Sequence, residues 1–360
     1  MPVTDPPSAQ QNHERLISYL RKLYDAPFFS WGGQTLPIVY YPPQPWQVDD
    51  VDSLLDGQPQ QLKQIDDFAV YDYAHLHNLQ NQALHLFNGP TFIYNLLREE
   101  PLQLSADLGY YYDNLATSAA LSQELKDALS HNTIRLPNRT QLHREIAAHR
   151  SLLSGQGRSA AIGVVTSIIF WHEQTYKIMI NQRSALNATS ALLYHIIPAF
   201  ILQPQTLPYH EHEWKLSYHI FREYLEELFS VPDMILEGAV DFEPLAAYQD
   251  LTQMLADKRA SLHLNGVVMN LLTLRPEIIT TLIIQDQDWF QRVTDPAFPQ
   301  RLQFSETHLD NVIFAPIHDN QALFASFPPD LHLNMPPQGF AGMALSIEFA
   351  RKQLGLSHDG

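Results

Sequence analysis

The chain has 360 residues, 45% of them hydrophobic, enough to bury one large or two ordinary domains. Lys and Arg total 22 against 39 Asp and Glu, a formal net charge of −17, which is a poor surface for a phosphate backbone or an anionic membrane. Cysteine is absent, which excludes disulfides, thiolate metal sites and a cysteine nucleophile and fits a cytoplasmic protein.

The stretch MPVTDPPSAQQNHE lacks a basic segment followed by an apolar core, and no apolar run is long enough to span a bilayer. Residues 1–11 are polar and proline-containing, which predicts disorder. Residues 12–24 read as a helix with Leu16, Leu20, Leu23 and Tyr24 on one face and Asn12 as its N-cap. Residues 36–41 read as a short strand, and the Gln-rich stretch 58–64 is uninformative. Residues 75–98 read as a helix interrupted at the turn Asn88-Gly89-Pro90. The run Tyr110-Tyr111-Tyr112 could stack on a base, but packing into a core or interface is the commoner use of such aromatics. Residues 119–130 read as a helix. Residues 132–150 are the most basic stretch, with Arg135, Arg139, Arg144 and Arg150; a solvated helix with counter-charges such as Glu145 is a simpler reading than an anion site. Residues 12–150 therefore make a helix-rich N-terminal region, and 151–360 a second domain. Solenoid-length repeats, a Walker A loop, a dinucleotide glycine fingerprint and a Gly-x-Ser-x-Gly elbow are all missing.

The second domain opens with three expected strands, 160–170, 176–180 and 192–202, the last broken by Pro198. Loop 203–214 follows and holds His210-Glu211-His212-Glu213. If the loop is extended, the two His point one way, as a metal-binding pair would, and the two Glu the other; an exposed polar loop is the plainer alternative. Residues 217–229 then read as a helix with opposite faces. Phe221, Leu225 and Leu228 form an apolar stripe expected to bury against the sheet, while Glu223, Glu226 and Glu227 gather on the far side. Like charges on one face repel, and a hard divalent cation would turn that repulsion into binding. A solvated acidic face is the bland alternative.

Arg222-Glu223-Tyr224-Leu225-Glu226-Glu227 resembles the core of the Nudix box, the metal-binding helix of Nudix hydrolases. The family pattern is Gly, five residues, Glu, seven residues, then Arg-Glu-U-x-Glu-Glu-x-Gly-U, with U apolar. The chain keeps Arg222, Glu223, Glu226 and Glu227, with Tyr224 at the first U. It departs elsewhere: Pro208 and Phe229 stand at the two Gly positions, Trp214 at the first Glu and Ser230 at the last U. Pro198-Ala199-Phe200 sits where the family has Pro-Gly-Gly, and an inserted loop, 203–214, accounts for the extra length.

The resemblance covers residues 159–354 and implies an α+β fold, with a mixed sheet between helices. It implies Mg²⁺- or Mn²⁺-dependent hydrolysis of the pyrophosphate in a nucleoside diphosphate derivative. Glu223, Glu226 and Glu227 would hold the cation. Glu226 and Glu227 would take the catalytic part, with Glu213 or Glu211 replacing the lost box glutamate. Arg222 would orient the glutamates rather than touch substrate. Because the box Gly residues and one Glu are lost, a nucleotide-sensing module with weak or no turnover, in a regulatory or scaffold role, stands beside the hydrolase reading. Either way the expected partner is a small nucleotide. Downstream, 262–272 and 278–284 read as strands, with Glu277, Asp286 and Asp288 beside the second as candidates for a further site acid. Residues 341–354 read as an amphipathic helix that closes the sheet opposite the box helix. Oligomeric state is not legible.

Overall fold

The structure, a computed structural model, describes residues 8–82, 86–131, 135–182, 193–205, 207, 210–231, 242–304 and 311–356. It is an α+β fold. In chain order the strands are β1 (Ser30–Trp31), β2 (Gln34–Thr35), β3 (Ile38–Tyr41), β4 (Pro90–Glu99), β5 (Leu102–Tyr110), β6 (Gly163–His172), β7 (Thr175–Gln182), β8 (Tyr194–Ile196), β9 (Ala199–Ile201), β10 (Ala260–Asn270), β11 (Arg275–Ile284) and β12 (Val312–Pro316). The main sheet runs β12-β7-β6-β11-β10-β3, with β8 on β7 and β9 on β6. It is mixed: β6 and β11 are parallel, and the other pairs are antiparallel.

The period-two alternation of these apolar strands loads both faces. Val165 and Ile169 of β6, with Ile279 and Ile283 of β11, pack with Phe340, Met343 and Ile347 of the C-terminal helix, Pro337–Leu354. Their neighbours Ile168, Phe170, Leu282 and Ile284 pack with Tyr224, Leu225 and Leu228 of helix Leu216–Phe229 and with helices Ala246–Ala256 and Trp289–Thr294. The C-terminal helix thus lies opposite the glutamate-bearing helix, as its sequence position implied. Expected strand 192–202 is two short strands either side of Pro198, whose missing N–H cannot continue a ladder. A bulge at Gly266 (φ +124°) reverses the phase of β10, and a Cβ there would stand 2.4 Å from the Tyr41 carbonyl oxygen.

The N-terminal half differs from expectation in several places. Helix Ala9–Leu23 starts ahead of Asn12: Ser8 and Gln11 form a capping box, so residues 8–11 are ordered by two reciprocal bonds. The helix expected over 75–98 covers Tyr73–Gln82; after Asn88-Gly89-Pro90 the chain enters β4, which pairs with β5 as a hairpin. Tyr111–Ser130 is continuous helix through a π-turn at Leu115–Ala119, so the tyrosine run straddles a strand end and a helix start. Tyr112 Oη donates to the Leu86 carbonyl, a packing role. In the basic stretch, helix Pro137–Glu145 does not present Arg139 to water. That guanidinium is fully buried and donates to Tyr24 Oη and to the carbonyls of Leu121, Leu271 and Leu272. β3 forms the sheet edge on β10, and one buried cluster joins Leu20, Phe92 and Leu104 with Val164, Leu216, Ile220 and Ile278.

Candidate functional site

Helix Leu216–Phe229 positions every box-core residue. Its first turn has no side-chain cap of its own. Asp52, from a distant short 3₁₀ turn, supplies one: its carboxylate accepts the Ser217 N–H (2.8 Å) and hydroxyl (2.6 Å). The helix ends at Ser230, in the left-handed region at φ 46°, one residue beyond the position where the box pattern carries its second Gly.

The buried stripe is Ile220, Tyr224, Leu225 and Leu228. Phe221 is half-buried, so the stripe is rotated from the expected Phe221-Leu225-Leu228 line. The opposite arc is not a solvated acidic face. Arg222 is 0% exposed and Glu223 8%, while Glu226 and Glu227 are half-buried. Arg222 Nη2 lies 3.0 Å from Glu223 Oε1, its Nε 3.9 Å from Glu226 Oε1, and its Nη1 donates to the Gln203 carbonyl at 3.0 Å. Burial alone would lower the Arg222 pKa, but Glu223 and Glu226 outweigh it and raise it. Glu227 Oε1 accepts the Ala199 N–H at 3.2 Å. Segment 198–200 is therefore tied directly to the glutamate helix.

Loop residues 203–205, 207 and 210–214 are described; Pro208 lies outside the described residues. His210–Glu213 forms one helical turn rather than an extended run. The extended backbone on which the His pair is premised is therefore absent. His212 and Glu211 are exposed. Glu213 is buried; its carboxylate accepts the Gln205 N–H at 2.6 Å and its carbonyl accepts from His219 Nε2 at 2.7 Å. Trp214, at the box position of the lost acid, is buried against Phe92 with ring centroids 4.8 Å apart.

His219 went unremarked in the sequence. It stands four residues before Glu223, so helical spacing places it on the glutamate arc. It is fully buried; burial first, then Arg222, holds its pKa well below the ordinary value and the ring is neutral. Tyr218 brings the arc and the loop together: its phenol pKa is raised by burial, then by Glu213 and Glu226, with Arg222 opposing.

The downstream acids stand apart from this arc. Glu277 is in phase with Ile279 and so points to the other sheet face, where it pairs with Arg275 under Gly163; a Cβ on Gly163 would fall 1.6 Å from Glu277 Oε2. Asp286 pairs with Arg259 and Arg292; burial opposes ionisation, but the Asp288 N–H, then Arg292 and Arg259, hold its carboxyl below the usual range. Asp288 donates its N–H to Asp286. Mg²⁺ or Mn²⁺ would need several carboxylates converging on open positions. Among the described residues no three His, Asp or Glu side chains are grouped to hold a metal ion. The box carboxylates contact Arg222 and the Ala199 N–H.

No family model matches the chain, and no curated protein matches it. Among solved structures, the NUDIX domain of Shewanella oneidensis NrtR, crystallised with ADP ribose, matches at 13% identity, covering 55% of this chain and 90% of that domain, with a TM-score of 0.29. A superposition that loose says nothing about what this chain binds. No helix of the described residues is long and apolar enough to cross a membrane.

Proposed function

We propose that this chain is a Nudix-like module that binds a nucleoside diphosphate derivative with weak or no hydrolysis of its pyrophosphate. One observation supports the reading above others: the box-core charges are spent on the fold. Arg222 is wholly buried between Glu223 and Glu226, and Glu227 fastens the Ala199 backbone. Arg222 cannot reach a ligand, which agrees with an orienting part. Two carboxylates that would help activate water are also committed or missing: Glu213 accepts the Gln205 N–H, and Trp214 occupies the lost glutamate's place. The nucleotide class rests on the box-core resemblance.

The test is a thermal-shift and phosphate-release screen on nucleoside diphosphate derivatives, with and without Mn²⁺. A shift without metal-dependent turnover supports a binding module. Turnover on the order of 1 per second or faster, lost in Glu226→Gln, would restore the hydrolase reading. No shift with any nucleotide would remove the ligand class.

A further inference from the structure

At the edge of the sheet, three side chains outside the box helix form a continuous hydrogen-bonded line. His263 Nδ1 lies 2.7 Å from Asp49 Oδ1, and His263 Nε2 lies 2.7 Å from Ser261 Oγ. Ser261 and His263 are two apart on β10, ahead of the Gly266 bulge, so both stand on one face of the strand. Phe349 of the C-terminal helix packs its ring 4.8 Å from the imidazole. β3 covers β10 only from Val267 to Asn270. Over the first half of β10 the incoming chain takes that edge instead: the Val48 carbonyl accepts the Leu264 N–H at 2.8 Å, which sets Asp49 beside His263. Asp49 is exposed and Ser261 half-buried, so the end of the line that would meet a ligand is not sealed.

We propose that Ser261, His263 and Asp49 form a nucleophilic serine site that acts on neutral carboxylic esters. An Nδ1–H donated to the Asp49 carboxylate leaves Nε2 as the acceptor for the serine hydroxyl. That is the arrangement in which a base can take the nucleophile's proton while a carboxylate fixes its tautomer, and it is recognised by geometry rather than by order in the chain. Burial lowers the His263 pKa, with Asp49 opposing, so the imidazole is neutral and able to accept a proton at pH 7. Asp49 and the exposed Asp50, on a chain of net charge −17, disfavour an anionic phosphate and favour an uncharged acyl group. In the step, Ser261 Oγ bonds to the acyl carbon as His263 Nε2 takes the hydroxyl proton. The ester C–O bond then breaks and the alcohol leaves with that proton. Water, deprotonated by the same imidazole, hydrolyses the acyl-serine, restoring Ser261 and releasing a carboxylic acid. Asp49 is a positioning residue.

The test treats the native full chain with an alkyl fluorophosphonate and locates the adduct by peptide mass spectrometry. The expected result is an adduct on Ser261 that forms on native and not on heat-denatured protein, with a rate at least ~100-fold lower in His263→Gln, the usual scale of general-base assistance. Asp49→Asn should slow labelling while leaving the melting temperature where it is. Hydrolysis of p-nitrophenyl butyrate should fall to the buffer rate in Ser261→Ala. The proposal is overturned if native wild type carries no adduct at Ser261, if His263→Gln labels at the wild-type rate, or if Ser261→Ala hydrolyses the ester as fast as wild type. The first reading uses unmutated protein, so it stands whether or not any variant folds.

Discussion

Arg222 is the most deeply buried charge of helix Leu216–Phe229, at 0% exposure. Its charge is buried with two carboxylates close by and one backbone carbonyl as further acceptor. A buried ion pair is a weak source of net stability, but removing one partner leaves the other charge stranded. Arg222→Ala is expected to cost about 3–5 kcal/mol in denaturant melts. A loss under about 0.5 kcal/mol, the range of surface changes, would show that the guanidinium is not sealed. His219 carries a prediction of the same kind in pH. Its folded pKa is depressed, so the unfolded chain binds a proton first as pH falls. The sign follows: stability is complete above the unfolded value near 6.5 and is lost below it, until the folded value is reached. Between pH 7.5 and 5.5 the wild type should lose more stability than His219→Gln, with a slope difference of at most about 1.4 kcal/mol per pH unit. Parallel stability curves would mean that the ring reaches water.

Helix Leu216–Phe229 owes its place to packing on one arc and to a borrowed cap at its start. Leu225 is 0% exposed and sits among sheet residues, whereas Phe221 is half-buried. Leu225→Ala should therefore cost about 2–5 kcal/mol, and Phe221→Ala distinctly less. Equal costs would place the stripe where the sequence pattern alone put it. Asp52→Ala removes the acceptor for both Ser217 donors and is expected to cost about 0.5–2 kcal/mol, as loss of an N-cap does. Thermal melts of this variant beside Ser217→Ala would show whether the two losses overlap, as they must if they belong to one interaction.

Across the whole molecule, the first 150 residues supply an edge strand and part of a buried cluster to the sheet that carries the site. Arg139 adds a polar tie, reaching from its helix to Tyr24 and to the turn between β10 and β11. Residues 151–360 produced alone would expose Val164, Ile220, Val267 and Ile278, which that cluster covers. The expected outcome is a fragment with no cooperative melt that recovers one when mixed with residues 1–150. A sharp melt of the fragment alone, matching the full chain, would show that the halves are energetically separate.

Local pattern was enough for much of this architecture. The apolar runs of β6, β7, β10 and β11, the amphipathic helices read over 217–229 and 341–354, and the break at Pro198 follow from periodicity and backbone chemistry, which are properties of neighbouring residues. The gathering of Glu223, Glu226 and Glu227 on one arc followed for the same reason. What that arc faces did not follow. Only the tertiary structure placed Arg222 out of water, turned Glu227 to the Ala199 N–H, folded 210–213 into a helical turn and sent Glu277 to the opposite side of the sheet. Likewise Asp52 caps a helix 165 residues away, and Asp49 meets a histidine 214 residues away. Burial and partnership depend on contacts that close long loops, and nothing in the spacing of a short segment records which distant group arrives.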